Sequence, residues 1–183
     1  MSPREISGLD SIFACREERV RRRAELQQEH GLPAVMLTLN IPGADKTSPL
    51  YEKTHVAAEG EFLQQCSEVG IEVVQRTVWS GACGREALFL MAEEPRGPCT
   101  SAAELIKRLC VGIETQHPLG RIFDFDVYAA DGSALDRQML DLPQRPCFLC
   151  DAPARECARL QRHSVEELRG HIDAEITRFF SQE

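Results

Sequence analysis

The stretch His117-Pro118-Leu119-Gly120-Arg121-Ile122-Phe123-Asp124-Phe125-Asp126-Val127 reads as a turn running into a strand, and its reading decides the fold. Strand side chains alternate between faces, so Asp124 and Asp126 point together out of an apolar run. Two carboxylates that close repel unless something positive sits between them, and a divalent cation is the usual answer. The Pro118-Leu119-Gly120-Arg121 turn can bring backbone N–H groups and a guanidinium to the same place. Metal, backbone donors and a fixed cation together suit chemistry on phosphate. An aspartate pair on a solvated strand edge is the plainer alternative.

Outward from this strand, the apolar periodicity and the turn residues define the remaining elements. A helix is predicted over about 10–30, ended by Gly31 and Pro33. Residues 34–41 read as a strand stopped by Pro42-Gly43. Ser48-Pro49 opens a second helix, which Gly70 ends. Two strands follow, 71–79 and 86–92, joined by the Gly81-Ala82-Cys83-Gly84 loop. Ser101 and Glu104 form a capping box for another helix, lined by Leu105, Ile106, Leu109, Cys110 and Ile113. The aspartate strand covers 121–129, with a turn at Asp131-Gly132. After an irregular, cysteine-bearing stretch, Ser164 and Glu167 cap a final helix carrying Leu168, Ile172, Ile176 and Phe179 at helical spacing.

The central order is β-α-β-β-α-β, the split arrangement of ferredoxin-like α+β folds. An antiparallel sheet with helices on one face follows, with its first and last strands as neighbours. Residues 40–43 then lie beside residues 121–124, so two distant segments build one site. Glu86, a third carboxylate, is expected at the opposite end of the sheet. The 183 residues read as a single domain, with a core over about 34–130 and a Cys-rich segment plus C-terminal helix over about 137–183.

Composition narrows the class. Hydrophobic residues make up 43% and charged residues 27%, as in ordinary globular proteins. No apolar run reaches membrane-spanning length, and residues 1–10 lack the pattern of a secretory signal, so a cytoplasmic protein is expected. The net charge of −8 argues against general nucleic-acid binding. Yet residues 137–163 carry five arginines (137, 145, 155, 159 and 162) against three acids, Asp141, Asp151 and Glu156. Such a basic patch fits a phosphate-rich ligand or an acidic partner; solvated surface arginines are the alternative.

Of eight cysteines, Cys66 and Cys110 fall at apolar helix positions and read as buried free thiols. Cys147-x2-Cys150-x6-Cys157-x5-His163 is different. Its four soft or borderline ligands and its C-x-x-C start match a tetrahedral structural zinc site, although the second half departs from the usual finger spacing. Thiols packing an irregular segment, or thiols in redox exchange, are the other readings.

The aspartate segment, Arg145-Pro146-Cys147-Phe148-Leu149-Cys150, Cys157-Ala158-Arg159, His163 and Ile41-Pro42-Gly43 with Lys46 together resemble one family. It is that of the apo-citrate lyase phosphoribosyl-dephospho-CoA transferases, the holo-acyl-carrier-protein synthases of citrate lyase. The resemblance is tight from His117 to His163 and looser before residue 110. It implies transfer of a 2′-(5-phosphoribosyl)-3′-dephospho-CoA group from its triphosphate precursor to a serine of the apo acyl-carrier (gamma) subunit, with release of diphosphate. No nucleic acid or membrane is expected to take part, and no second, donor-making enzyme is expected within these 183 residues.

For that reaction Asp124 and Asp126 are expected to hold Mg²⁺, with Arg121 and the Gly120 backbone on phosphate oxygens. Pro42 and Gly43 would admit the donor, with Lys46 as a mobile positive charge. His117 would accept the serine proton or orient a loop. The zinc segment would bring Arg145, Arg155 and Arg159 near the triphosphate. One departure stands out: Asp124-Phe125-Asp126-Val127 matches a strand motif of nucleotidyltransferases, but the upstream Gly-Ser or Gly-Gly pair of those enzymes is absent. Two rival readings are a non-enzymatic zinc-stabilised adaptor that docks the carrier and a related transferase using another triphosphate donor.

Overall fold

Side-chain caps set the helix starts. Ser48 accepts the Tyr51 N–H at 3.1 Å with Pro49 in the first turn, and Ser101–Glu104 and Ser164–Glu167 are both reciprocal capping boxes. The computed structural model describes residues 8–92 and 101–182. Residues 1–7, most of the stretch read as lacking a secretory signal, lie outside it. In chain order the elements are α1 (Gly8–His30), β1 (Ala34–Leu39), α2 (Pro49–Glu68), β2 (Val73–Gly81), β3 (Gly84–Met91), α3 (Ala102–Gln116), β4 (Phe123–Tyr128), β5 (Ala134–Leu135), α4 (Ala154–Leu160) and α5 (Val165–Phe180).

The strands form one antiparallel sheet in the order β2-β3-β1-β4-β5. Its first four members keep the predicted ferredoxin-like arrangement. β1 and β4 pair with Thr38 opposite Asp124 and Leu39 opposite Phe123, and Asn40 donates to the Ile122 carbonyl at 2.8 Å. The predicted convergence of residues 40–43 with 121–124 is therefore present. β5 adds a short edge that reaches only Val127 and Tyr128. The Cys-rich segment, expected to be irregular, contains the short helix α4.

Alternation then splits the apolar residues between two layers. Val35, Leu37, Ala87, Phe89, Phe123, Phe125 and Val127 pack against α2, α3 and α5 in the main core. Phe62 of α2 sits at its centre, with ring centroids 4.8 Å from Phe89 and 5.4 Å from Phe125. Truncating such a ring costs about 3–5 kcal/mol, so this layer fixes the sheet. Ala34, Met36, Leu88 and Leu90 face the other way and are covered by Leu26 and Leu32 at the end of α1 and just beyond it. The expectation of helices on one face thus holds for the central unit, while α1 shields part of the second face. Arg23 of α1 over the Tyr128 ring (3.8 Å) and Gln27 on the Ala129 carbonyl (2.8 Å) fasten it there. Asp124 and Asp126 emerge on this second face.

Candidate active site

Asp124 and Asp126 share a face because they alternate with the buried Phe123, Phe125 and Val127. Asp124 is anchored: Arg145 Nη1 lies 2.9 Å from its Oδ1, and Thr38 Oγ1 donates to Oδ2 at 3.4 Å. Asp126 has no hydrogen bond or ion pair among the described residues. It keeps an open side to solvent, but protein crowds it closely enough to strip water from the carboxylate. That desolvation, and then the Asp124 charge, push its pKa up to about 6.

The outer edge of β4 is finished by side chains. β5 stops short of Phe125, whose N–H is accepted by Glu114 Oε1 at 3.0 Å and whose carbonyl accepts from Lys107 Nζ at 3.0 Å. Two buried charged residues of α3 thus stand in for a neighbouring strand. Glu114 also pairs with Arg137 and with Arg145, so the carboxylate that closes the sheet edge sets the arginine that touches Asp124. A cavity of about 330 Å³ opens here, lined by Asp124, Asp126, Arg121, Arg137, Arg145 and Arg155.

Arg121 is held by its surroundings rather than by a carboxylate. Its Nε donates to the Pro146 carbonyl at 2.8 Å, and its guanidinium lies 4.1 Å over the Phe148 ring. Its Nη1 is buried without a partner among the described residues. Burial, with Arg145 adding repulsion, lowers its pKa to about 10. Arg121 lines the cavity, and a guanidinium that no carboxylate among the described residues neutralises is a site for an anionic oxygen.

Cys147, Cys150, Cys157 and His163 converge, with one ligand atom from each within 4.8 Å of the others. Cys150 Sγ lies 3.4 Å from Cys157 Sγ and 3.4 Å from His163 Nε2. The Pro146–Pro153 bridge and the Cys147 N–H on the Ala152 carbonyl fold the loop into a knuckle. Three thiols and an imidazole in this arrangement fit a tetrahedral soft-metal site. The same knuckle carries both partners of Arg121, the Pro146 carbonyl and Phe148.

Other expected site residues are placed differently. His117 is directed into the helix layer: its Nδ1 accepts from the Leu119 N–H at 3.0 Å, and its ring packs on Phe123 and Phe179. Burial lowers its pKa, and it orients the turn. The Gly120 amide donates to the His117 carbonyl at 2.8 Å, and a Cβ there would come within 2.4 Å of the Ile113 carbonyl oxygen. Gly120 is thus required for packing against α3, with its N–H already used. Pro42 lines a separate cavity beside Arg121, and Gly43 (φ +87°) turns the chain there. Lys46 is within electrostatic reach of Asp124; burial lowers its pKa. Arg159 is exposed, and it is Arg155 that reaches the aspartate cavity.

Glu86 corrects the expectation that it lies at the far end of the sheet. It pairs with Trp79 across β2–β3, and the β1–β3 register carries it beside Thr38. It therefore occupies the same cross-strand row as Asp124. Buried, it accepts from Trp79 Nε1 at 2.8 Å and from Arg19 Nε at 3.1 Å. Sequence reasoning also missed Lys107 and Glu114. Their signal was two charged residues on the margin of the apolar stripe of α3, two helical turns apart.

Comparison with known proteins gives the class first. A Vibrio cholerae protein is 36% identical over 174 residues, covering 95% of this chain and 93% of its own. A Citrobacter koseri protein is 31% identical over 91% of this chain and 87% of its own, and an Escherichia coli protein 26% over the same shares. All three are transferases by name. Their names read apo-citrate lyase phosphoribosyl-dephospho-CoA transferase, "probable" in the Vibrio case. The family of that description matches residues 7–179, and the chain belongs to it.

Proposed function

We propose that this chain transfers the 2′-(5-phosphoribosyl)-3′-dephospho-CoA group from its triphosphate precursor to a serine hydroxyl of the apo acyl-carrier (gamma) subunit of citrate lyase, releasing diphosphate. The observation that carries this reading is the under-compensated Asp124–Asp126 pair facing a cavity walled by arginines. Attack of an alcohol on the α-phosphorus of a triphosphate asks little covalent work of a protein. It needs alignment and neutralisation of charge on the departing diphosphate.

Asp124 and Asp126 are the residues that would hold Mg²⁺. A pair of hard oxygen donors with one carboxylate free of protein partners fits that ion. When bound, Mg²⁺ supplies charge neutralisation on phosphate oxygens. Arg145, fixed between Glu114 and Asp124, presents a guanidinium to the same space. Arg121, which no carboxylate among the described residues pairs, offers its guanidinium to a phosphate oxygen of the donor, and Lys46 is within electrostatic reach of Asp124. His117 orients the Leu119 turn and takes no proton from the serine.

The Cys147–Cys150–Cys157–His163 group would hold Zn²⁺ as a closed structural site. Its part in transfer is indirect, because the knuckle it closes grips Arg121 through Pro146 and Phe148. Elemental analysis is expected to find one zinc per chain. Cys150→Ser is expected to lose it and to melt well below Cys66→Ser, which only alters a buried thiol. Folded protein free of stoichiometric metal overturns the zinc assignment.

The reaction itself is tested by incubating the chain with apo-carrier, Mg²⁺ and the triphosphate donor and reading the carrier's mass. Wild-type protein is expected to add the prosthetic group. Asp124→Asn and Asp126→Asn are each expected to slow attachment about a thousandfold while carrier binding persists. Attachment at the wild-type rate by either variant sinks the reading.

A further inference from the structure

The donor in the proposed reaction is larger than the aspartate cavity. Behind the reacting phosphorus come two linked riboses, adenine, a diphosphate and the largely apolar pantetheine arm. A second cavity of about 360 Å³ opens on the other side of Arg121, between the Pro42 turn, the Cys-rich knuckle, α4 and the start of α5. Its walls include Pro42, Phe148, Ala154, Ala158, Val165 and Leu168. The two cavities share Asn40, Arg121 and Ala154.

Three observations give this groove an occupant. The first is continuity: a ligand seated over the aspartates reaches the apolar walls by passing Arg121. The second is Arg121 at that junction: its side chain lines both cavities, has no carboxylate partner among the described residues, and keeps a buried Nη1 without a partner there. A guanidinium N–H withdrawn from water and left unpaired is costly, and an anionic oxygen relieves the cost. The third is apolar surface left open beside the charge, with Val165 at 50% exposure at the first turn of α5. Gly43 lets the β1 turn close on that side chain, since a Cβ there would lie 3.1 Å from Val165 Cγ1. The sequence of features is therefore polyphosphate site, single cation, apolar groove. Dephospho-CoA presents the matching order, with a diphosphate between its nucleoside and its arm.

We propose that the groove between Pro42, α4 and α5 binds the pantetheine arm of the donor's dephospho-CoA part, with Arg121 on its diphosphate. This rests on the reaction proposed above. Apolar burial of the arm supplies binding energy remote from the reacting phosphorus, which serves to position it.

The experiment uses full-length Val165→Glu and Ala158→Glu, at exposed positions of α5 and α4 that border the groove. An acid in the first turn of α5 favours that helix, so folding is retained, as thermal melting will check. Calorimetry measures dephospho-CoA and Mg²⁺–tripolyphosphate separately, and steady-state transfer gives KM for donor and for carrier. Both variants are expected to bind dephospho-CoA about tenfold or more weakly, to bind tripolyphosphate within about twofold of wild type, and to raise donor KM alone. Unchanged dephospho-CoA affinity in both variants overturns the proposal. So does a rise confined to carrier KM, which would make the groove a protein-docking surface. Should wild-type protein attach nothing to the carrier, the transfer reading fails, while the dephospho-CoA affinities still decide the groove.

Discussion

Glu59 of α2 and Asp126 of β4 are both acidic side chains packed about the same sheet, and the fold treats them oppositely. Glu59 is buried and receives Arg76 and, at 3.2 Å, Arg85. Glu114 and Glu86 follow the same rule, the first with two arginines and the second with Arg19 and Trp79. Their charges are consumed within the protein. Asp126 stands beside a second carboxylate, and of the two only Asp124 is paired with Arg145. A buried carboxylate that lacked its arginines would be intolerable, whereas one at an open cavity can be left for a cation from outside. Among these carboxylates the matched ones hold the structure, and the unmatched Asp126 faces the candidate site.

The sharpest way to break that contrast is to remove a matched carboxylate near the unmatched Asp126. Glu114→Gln takes from Arg137 its carboxylate and from Arg145 one of its two, and is expected to cost about 3 kcal/mol or more of stability by urea unfolding. It is also expected to raise donor KM, because Arg145 loses one of its two anchors. A stable variant with wild-type kinetics would show that Glu114 neither supports the sheet edge nor sets Arg145.

A second test concerns a group that burial keeps neutral. His55 packs within the same layer as Glu59, with its Nε2 3.3 Å from the Leu37 carbonyl oxygen, and burial lowers its pKa to about 4. Its folded value lies below its unfolded value near 6.5. As pH falls from about 6.5 to about 4, the unfolded chain binds a proton that the folded chain refuses. Stability is therefore expected to decline across that window, by on the order of 3 kcal/mol, and His55→Gln is expected to flatten the decline. An equally steep profile in the variant would remove His55 as its source.

The smallest effect has the opposite sign. Asp126→Asn removes like-charge repulsion with Asp124 and breaks no contact, so the metal-free protein is expected to melt slightly higher, by less than about 1 kcal/mol. Loss of stability comparable to that of Glu114→Gln would mean that Asp126 is structural, and the comparison would fail.

Much of this was legible in the residues. Ser48-Pro49, Ser101–Glu104 and Ser164–Glu167 announced three helix starts, and the β-α-β-β-α-β order predicted β1 beside β4. The Cys147–His163 spacing predicted a cluster that the structure brings together. Glu86, Lys107, Glu114, His117 and Gly120 were harder, since each is decided by what packs against it from another element. Glu86 was assigned to the wrong end because the β1–β3 register, which carries it beside Thr38, leaves no local trace. His117 and Gly120 have the residue types of a catalytic turn but are used for packing.

The sequence by itself determined the order of the main helices and strands, the shared face of Asp124 and Asp126, and the family, because caps, periodicity and motif spacing act over a few residues. Tertiary structure alone decided which charges are matched. Guanidinium and carboxylate pair over long chain separations, as Arg145 with Asp124 and Arg19 with Glu86 do, and only the packed sheet sets those distances.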